Sequence, residues 1–242
     1  MPQPEIVISD IYKAFGDREV LKGISVNVER GSTLAVMGGS GSGKSVLLKH
    51  LVGLMLPDSG EVWVQGQRID ELSGKDLNAS RLRIGYLFQG GALFDSLTVA
   101  ENLDFVLRRH TTMNPVERRE YIQNVIAWVN LPDVANQYPA ELSGGQKKRI
   151  ALARAIILNP DILLCDEPTT GLDPISVRTV SHLIMRLKAE RGITSVAITH
   201  DLLCAEIIAD NVAFIFEGKI LQQGQLTELR SSEHPQLRDF FG

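Results

Sequence analysis

Short apolar runs bounded by glycine and polar turns recur along the chain and predict β-strands. These runs cover residues 6–8, 23–28, 33–37, 60–66, 83–88, 161–165, 194–199, 212–216 and 219–222. Turns at 15–17 and 57–60 separate the runs at 6–8, 23–28 and 60–66, so we expect an antiparallel layer there. The later runs alternate with helical patterns, which favours a mostly parallel sheet with ligands at the carboxyl ends of its strands.

Helical periodicity dominates residues 98–158, where strand signals are few. Apolar side chains fall on one face of each of two helical stretches, and these are Val99, Leu103, Val106, Leu107, Tyr121, Val125, Trp128 and Val129. We expect an inserted helical subdomain over residues 95–158, while residues 1–94 and 159–242 form the β layer and the core. A further amphipathic helix is predicted over residues 177–187. The chain is therefore predicted to be one α/β domain, residues 1–242.

Composition narrows the function classes. The chain has 242 residues, of which 44% are hydrophobic and 22% are charged, and its formal net charge of -4 disfavours direct nucleic-acid binding. Apolar runs such as 51–56 are far shorter than the roughly 18 to 20 residues that cross a bilayer, so no membrane span is expected. Residues 1–5 lack a secretory signal, which predicts a cytoplasmic location. Cys165 and Cys204 lack metal-ligand spacing and are predicted to be buried, reduced thiols.

A G-x-x-x-x-G-K-[ST] pattern lies between the predicted strand 33–37 and a predicted helix over 46–52. Its residues are Gly38, Gly39, Ser40, Gly41, Ser42, Gly43, Lys44 and Ser45. Positive φ at Gly38, Gly41 and Gly43 would turn backbone N–H groups toward an anion at the helix N-terminus. Lys44 would contact the β- and γ-phosphates and the Ser45 hydroxyl would bind Mg²⁺. A nucleotide such as ATP with Mg²⁺ is the expected ligand; a plain glycine turn is the weaker alternative.

Polar residues end several of the predicted strands. Gln89 follows 83–88, Asp166 and Glu167 follow 161–165, and His200 follows 194–199. Next to a phosphate loop, an Asp suits the magnesium shell and an adjacent Glu suits a water-activating base, although an isolated acidic pair is more often a helix cap. The turn Ser143–Gly144–Gly145 opens another predicted helix, over 150–158, and suits either an anion or an ordinary N-cap.

Aromatic residues offer a platform for a base. Phe15 lies at a predicted strand end, and Tyr12 is the competing candidate three residues earlier. Either ring could stack on adenine or simply belong to the core.

The segment Leu142–Ser143–Gly144–Gly145–Gln146 resembles the signature motif of ATP-binding cassette ATPases, in register with their other motifs. The resemblance spans essentially the whole chain and implies a P-loop NTPase with a RecA-like core. It implies that residues 38–45 are the Walker A loop, that Phe15 stacks on adenine, that Gln89 is the Q-loop glutamine, and that 162–166 is the Walker B strand. Glu167 matches the catalytic glutamate, His200 the switch histidine, and Gly171–Leu172–Asp173 the D-loop.

A finer resemblance concerns residues 88–94 and 107–111, which are similar to the ATPases of Mla and Mce lipid transporters. Residues 236–241 also resemble the terminal segment of those ATPases. The resemblance implies phospholipid transport between bacterial inner and outer membranes, a membrane permease, further lipid-binding or accessory subunits, and a position on the cytoplasmic face of the inner membrane.

The resemblance also implies a head-to-tail dimer in which Lys44 of one chain and Ser143 of the other hold each ATP, with Gly144, Gly145, Gln146 and Asp173 contributing. The segment 90–97 would face the permease; Leu93, Phe94 and Leu97 are either core or part of an exposed groove.

Two alternatives come from other classes. One is the ATPase of another cassette transporter, or a soluble cassette ATPase in translation, DNA repair or iron–sulfur assembly. The single cassette, the lack of a zinc-ligand set and the lack of basic excess weigh against the soluble class. The other is a P-loop kinase, which the motif at 142–146 disfavours.

Overall fold

The computed structural model describes residues 4–242, so the prediction made from residues 1–5 lies largely outside the described residues. The strands are β1 Ile6–Phe15, β2 Arg18–Val28, β3 Thr33–Met37, β4 Ser59–Val64, β5 Gln67–Arg68, β6 Ile84–Leu87, β7 Ile162–Asp166, β8 Thr194–Ile198, β9 Asn211–Phe216 and β10 Lys219–Gly224. The helices are α1 Lys44–Leu51, α2 Gly74–Leu82, α3 Val99–His110, α4 Pro115–Trp128, α5 Gly144–Ile156, α6 Pro174–Arg191, α7 Leu202–Ile208, α8 Leu226–Arg230 and α9 Pro235–Phe241. In this part of the chain, no helix combines the length and the apolar character that a bilayer crossing requires.

The strands form two sheets. One has the order β2-β1-β4-β5 with antiparallel pairing, and in its first hairpin Phe15 pairs with Arg18. The other has the order β10-β9-β3-β8-β7-β6, in which β10 alone pairs antiparallel. The antiparallel layer and the mostly parallel sheet predicted from the sequence are both confirmed.

Burial explains why the parallel strands read as continuous apolar runs. Every residue of β3, β7 and β8 is buried, because helices or the other sheet cover both faces of the parallel sheet. One core cluster joins this sheet to α3–α6, and another joins it to α1 and the antiparallel layer. Cys165 and Cys204 are buried and free, as predicted.

We call residues 99–156, which contain α3, α4 and α5, the helical segment. Its predicted faces are confirmed, since Val99, Leu103, Leu107, Val125 and Val129 are buried in one cluster. The helices begin at the caps expected of such sequences: Thr98 and Asn114 both accept hydrogen bonds from N-terminal backbone N–H groups within capping boxes.

Two helix starts differ from the predictions. The α1 helix begins at Lys44, two residues before the predicted Val46, and α5 begins at Gly144 and not at Ile150. In both cases the first turn is polar or glycine-rich, so apolar periodicity detects the helix only where its buried face begins. The α2 helix was not predicted; within it Ser80 is the buried residue, so it has no apolar stripe.

Candidate functional site

The glycine-rich loop after β3 has the backbone that its sequence predicts. Gly38, Gly41 and Gly43 have φ angles of 142°, 76° and 103°. A Cβ on Gly38 would lie 2.1 Å from the carbonyl oxygen of Ile215, so a side chain there cannot be accommodated without moving β9. Because α1 starts directly after Gly43, the unpaired N–H groups of its first turn open onto the loop, where they suit an anion.

Lys44 lies across this loop as a largely buried cation. Its ammonium donates to the carbonyl oxygens of Gly38 at 2.9 Å and Gly39 at 2.8 Å. Burial lowers the pKa of Lys44, while the charges of Glu167 and then Asp166 oppose that shift. A fixed positive charge within an anion-binding loop is the arrangement that binds phosphate.

Oxygen atoms from three segments, α1, β6 and β7, lie close together beside the loop. The Ser45 hydroxyl donates to the buried Asp166 carboxylate at 3.0 Å, and the Tyr86 hydroxyl lies 3.5 Å from the other Asp166 oxygen. Burial, followed by the nearby Asp166 charge, raises the pKa of Tyr86, so this hydroxyl stays protonated. Hydroxyl and carboxylate oxygens are the ligands that Mg²⁺ prefers. Across residues 4–242 no group of three or more His, Cys, Asp or Glu side chains is arranged for a metal ion.

Glu167 and His200 form the next contact. Glu167 has a positive φ of 51°, and its backbone N–H donates to Ile198 on the neighbouring strand at 3.0 Å. Its carboxylate lies 2.8 Å from Nδ1 of His200 and accepts a hydrogen bond of 2.8 Å from the Thr170 hydroxyl. Two side chains therefore fix the direction of this carboxylate, and strained backbone of this kind is common at functional sites.

An open cleft of about 400 Å³ lies beside the loop, and several of the residues predicted to bind the nucleotide line it. Its lining consists of Arg18, Val20, Ser40, Gly41, Gly43, Lys44, Ser45, Val46, Gln89 and Glu167. The strand order explains this convergence, because β3, β8, β7 and β6 are neighbours and their carboxyl ends share one edge of the sheet.

The signature turn lies apart from that cleft. Within residues 4–242, the residues that line the cleft do not include 143–146. The exposed Ser143 caps α5 in a capping box with Gln146, at 3.3 Å and 2.8 Å. A Cβ on Gly145 would lie 2.6 Å from the Ser176 hydroxyl, so this glycine permits close packing of α5 on α6. Asp173 caps α6 and also accepts from the Ser176 hydroxyl.

The aromatic candidates are both at the surface. Phe15 is 47% exposed and Tyr12 is 41% exposed, so the interpretation of either ring as core is wrong. Phe15 is at the end of the hairpin, paired with Arg18, and Arg18 lines the cleft. An exposed ring beside a phosphate loop can stack on a base.

Sequence reasoning missed two neighbours of the site. Arg18 lines the cleft and pairs with Phe15 across the hairpin, and a hairpin drawn through the turn at 16–17 would have placed these two residues together. Thr170 contacts Glu167 from three residues further along the chain. Nothing in the apolar pattern marks such a hydroxyl.

Comparison with known proteins identifies relatives over nearly the full length. A family model described as "ABC transporter" matches residues 21–170. The chain is 40% identical to TRIGALACTOSYLDIACYLGLYCEROL 3, chloroplastic, of Arabidopsis thaliana, over 96% of this chain and 71% of that protein. It is 38% identical to the intermembrane phospholipid transport system ATP-binding protein MlaF of Haemophilus influenzae, over 96% of this chain and 88% of that protein.

A relative with a different substrate in its name matches equally well. The chain is 41% identical to the methionine import ATP-binding protein MetN of Carboxydothermus hydrogenoformans, over 97% of this chain and 71% of that protein. Among solved structures, the dimeric post-hydrolysis state of the ATP-binding cassette MJ0796 bound to ADP and Pi has a TM-score of 0.84 at 31% identity. That match covers 91% of this chain and 98% of the other.

Proposed function

The chain belongs to the family of ABC transporter ATPases, and we propose that it powers phospholipid transport between bacterial membranes through a permease partner. As a member of this family it binds and hydrolyses ATP. The observation that carries the proposal is the 38% identity to MlaF across 96% of the chain. The cleft that brings Lys44, Gln89 and Glu167 together supports the nucleotide site.

The roles of the site residues are part of the proposal. Residues 38–45 hold the phosphates, Phe15 stacks on adenine, and Lys44 provides the fixed charge. Glu167 positions and deprotonates the attacking water, and His200, which contacts it, senses the γ-phosphate. The pair Asp166–Glu167 separates two tasks, because Asp166 is bonded to Ser45 whereas Glu167 is bonded to Thr170 and lies near His200.

The oxygen donors near Ser45 suit Mg²⁺. The residues that would hold the ion are Ser45, Gln89 and Asp166, each through an oxygen atom. When bound, Mg²⁺ neutralises charge on the phosphates. The Ser45 hydroxyl donates to the Asp166 carboxylate at 3.0 Å, so these two oxygen groups lie side by side.

A second copy of the chain completes the proposed site. The exposed Ser143 and Gly144, with the buried Gly145 and the partly buried Gln146, form a helix N-terminus that suits an anion. Among the described residues that line the cleft of the same chain, none belongs to this turn. A head-to-tail dimer supplies this turn, and Asp173 nearby, to the ATP held by Lys44 of the other copy. The dimeric state of the related cassette MJ0796 supports this arrangement.

The proposed permease contact is the surface around Phe94. This ring is 44% exposed, lies edge-on to Phe105 at 5.1 Å between centroids, and has the Arg154 guanidinium 5.7 Å from its centre. The buried Asn102 donates to or accepts from the backbone at Phe94, Leu97 and Thr98, so the loop that presents the ring is held in one conformation. A rigid exposed aromatic is a suitable anchor for a partner helix.

The proposal includes a position at the cytoplasmic face of the inner membrane, where the chain would be bound through its permease. We treat residues 95–158 as the part that moves relative to 1–94 and 159–242 during the ATP cycle. Additional lipid-binding subunits are part of the same proposal, by analogy with the transport system named for MlaF.

The test is transport by the complex isolated from its native membranes through a tag on this chain. We expect phospholipid in the purified complex by mass spectrometry and ATP-dependent transfer of labelled phospholipid between vesicles, abolished by Lys44→Ala. The identity to MetN favours one competing outcome, methionine binding and uptake. ATP-dependent methionine uptake without lipid transfer would replace the lipid assignment and leave the ATPase assignment unchanged.

A further inference from the structure

Lys148 is a cation in the interior of the protein, on α5, and only 5% of it is exposed. Its ammonium donates to the carbonyl oxygen of Gln89 at 2.5 Å and to that of Glu167 at 3.1 Å. Both acceptors are backbone atoms. The contacts therefore leave the side chains of Gln89 and Glu167 free for the roles proposed above.

The sheet explains how one side chain reaches both carbonyls. β6 and β7 are parallel neighbours in which Leu87 pairs with Cys165, and Gln89 and Glu167 each follow that pair by two residues. The two carbonyls thus occupy equivalent positions at the ends of adjacent strands. A buried cation needs acceptors, and these two carbonyl oxygens supply them to Lys148.

The same helix makes a second contact with the segment after β6. Arg154 donates to the carbonyl oxygen of Gly91 at 3.1 Å. Residues 89–91 are therefore tethered to α5 at two points, and the N-terminus of α5 is the signature turn. Lys148 connects α5 both to this segment and to Glu167.

We propose that Lys148 is a positioning residue of the ATPase reaction, which transmits the position of the signature helix to the backbone of Gln89 and Glu167. The proposal rests on the proposed function, because it needs Gln89 and Glu167 to act on the nucleotide. Movement of the helical segment on dimer closure then shifts both residues together. A misplacement of about 1 Å at such groups can cost about 100-fold in rate.

The first test is Lys148→Met, which keeps the length of the side chain and removes its donors. In the complex purified with its membrane partners, we expect kcat for ATP hydrolysis to fall about tenfold or more, while the Kd for ATP changes less than about threefold. ATP affinity should be preserved because both hydrogen-bond acceptors of Lys148 lie outside the phosphate loop, residues 38–45. Lys75→Met, the same change at an exposed position of α2, should leave kcat unchanged.

Two further variants distinguish a positioning role of Lys148 from a role in packing alone. Lys148→Arg retains a cationic donor and should restore kcat to within about threefold of wild type. In a Gln89→Ala background, Lys148→Met should lower kcat by a smaller factor than in the wild type, because only the part of the effect that acts through Glu167 remains. Additive effects of the two substitutions would overturn the proposal, as would an unchanged kcat in Lys148→Met.

The melting temperatures of the variants show whether a loss of kcat comes from a folding defect. If Lys148→Met does not fold, Lys148→Gln, which keeps a neutral donor, replaces it and should give an intermediate kcat at wild-type ATP affinity. Failure of both variants to fold would assign Lys148 to stability and overturn the proposal. All of these measurements concern ATP, so a wild-type complex that hydrolyses ATP without moving lipid contradicts the transport proposal alone.

Discussion

At the scale of single residues, the contacts of Glu167 lead to a specific expectation. Its carboxylate contacts His200 and Thr170, and both contacts can be made by an amide of the same shape. Glu167→Gln should therefore bind ATP normally but lose at least about 100-fold in hydrolysis, because the amide cannot accept the proton of water. Size exclusion with ATP and Mg²⁺ should then show accumulation of dimer.

Glu120→Gln provides the control, since Glu120 is exposed on α4 and is not among the described residues that line the cleft. A Glu167→Gln protein that hydrolyses ATP at the wild-type rate would contradict the assignment of Glu167 as the base. If Glu167→Gln loses hydrolysis as expected but no dimer forms in the complete complex, the arrangement in which two copies share each site is contradicted.

At the scale of elements, the buried His50 of α1 is expected to make the free energy of unfolding depend on pH. Its ring is buried in α1, with Nδ1 2.7 Å from the carbonyl oxygen of Val46. Burial lowers the pKa of His50, and the hydrogen bond to Val46 opposes this shift. Below the ordinary pKa of about 6.5, the unfolded chain binds a proton here that the folded protein does not, so stability falls as pH falls.

We expect the free energy of unfolding to decrease from pH 7 to pH 5, and His50→Gln to reduce that decrease. The measurement is urea denaturation of the wild type and the variant at both values, compared by their pH dependence rather than their absolute stability. An identical pH dependence in both proteins would show that His50 does not contribute to it.

The strands were easier to predict than the helix termini, for a physical reason. β3, β7 and β8 are buried on both faces, so their sequences are mostly apolar, and Gly38, Asp166 and His200 lie at or just after their ends. The α2 helix buries too little to leave a periodic pattern. A pattern of apolar residues reports burial, and it does not report a helix that lies mostly in solvent.

The site also contains residues that the sequence predicts and residues that it does not. Residues 38–45 were predictable because a phosphate loop needs glycines at fixed positions and the chain has few other ways to use them. Lys148 was not predictable, since its sequence neighbours Lys147 and Arg149 are also cationic and only the fold buries one of the three ammonium or guanidinium groups against Gln89 and Glu167. Contacts between distant segments are set by topology and are absent from local sequence.

At the scale of the whole molecule, the separation of the signature turn from the cleft predicts a division of labour between two copies. Ser143→Arg places a bulky cation at the exposed N-terminus of α5, where it should block the anion site while Lys44 of the same chain still binds ATP. Hydrolysis by the complex should fall by at least about tenfold, with ATP affinity of the isolated subunit within about threefold of wild type.

Mixing supplies the control for this variant. A complex that combines one Ser143→Arg copy with one Lys44→Ala copy retains one intact composite site, made from Lys44 of the first and Ser143 of the second. If the ATP affinity of the isolated Ser143→Arg subunit fell as far as its turnover, Ser143 would belong to the nucleotide site of its own chain. That result would contradict the dimer.

The exposed ring of Phe94 is the proposed anchor through which the molecule binds its membrane partner. Phe94 is exposed, and its backbone is fixed by the buried Asn102, so removing the ring should cost little stability but should remove an anchor. We expect Phe94→Ala to lose about 2 kcal/mol or more of affinity for the permease, measured by recovery of the permease with the tagged subunit. The isolated subunit should keep its melting temperature and its ATP affinity, and Val116→Ala, at an exposed position of α4, should leave assembly intact. A large drop in melting temperature with normal assembly would instead mean that the ring stabilises the helical segment through Phe105 and Arg154, and that the permease binds elsewhere.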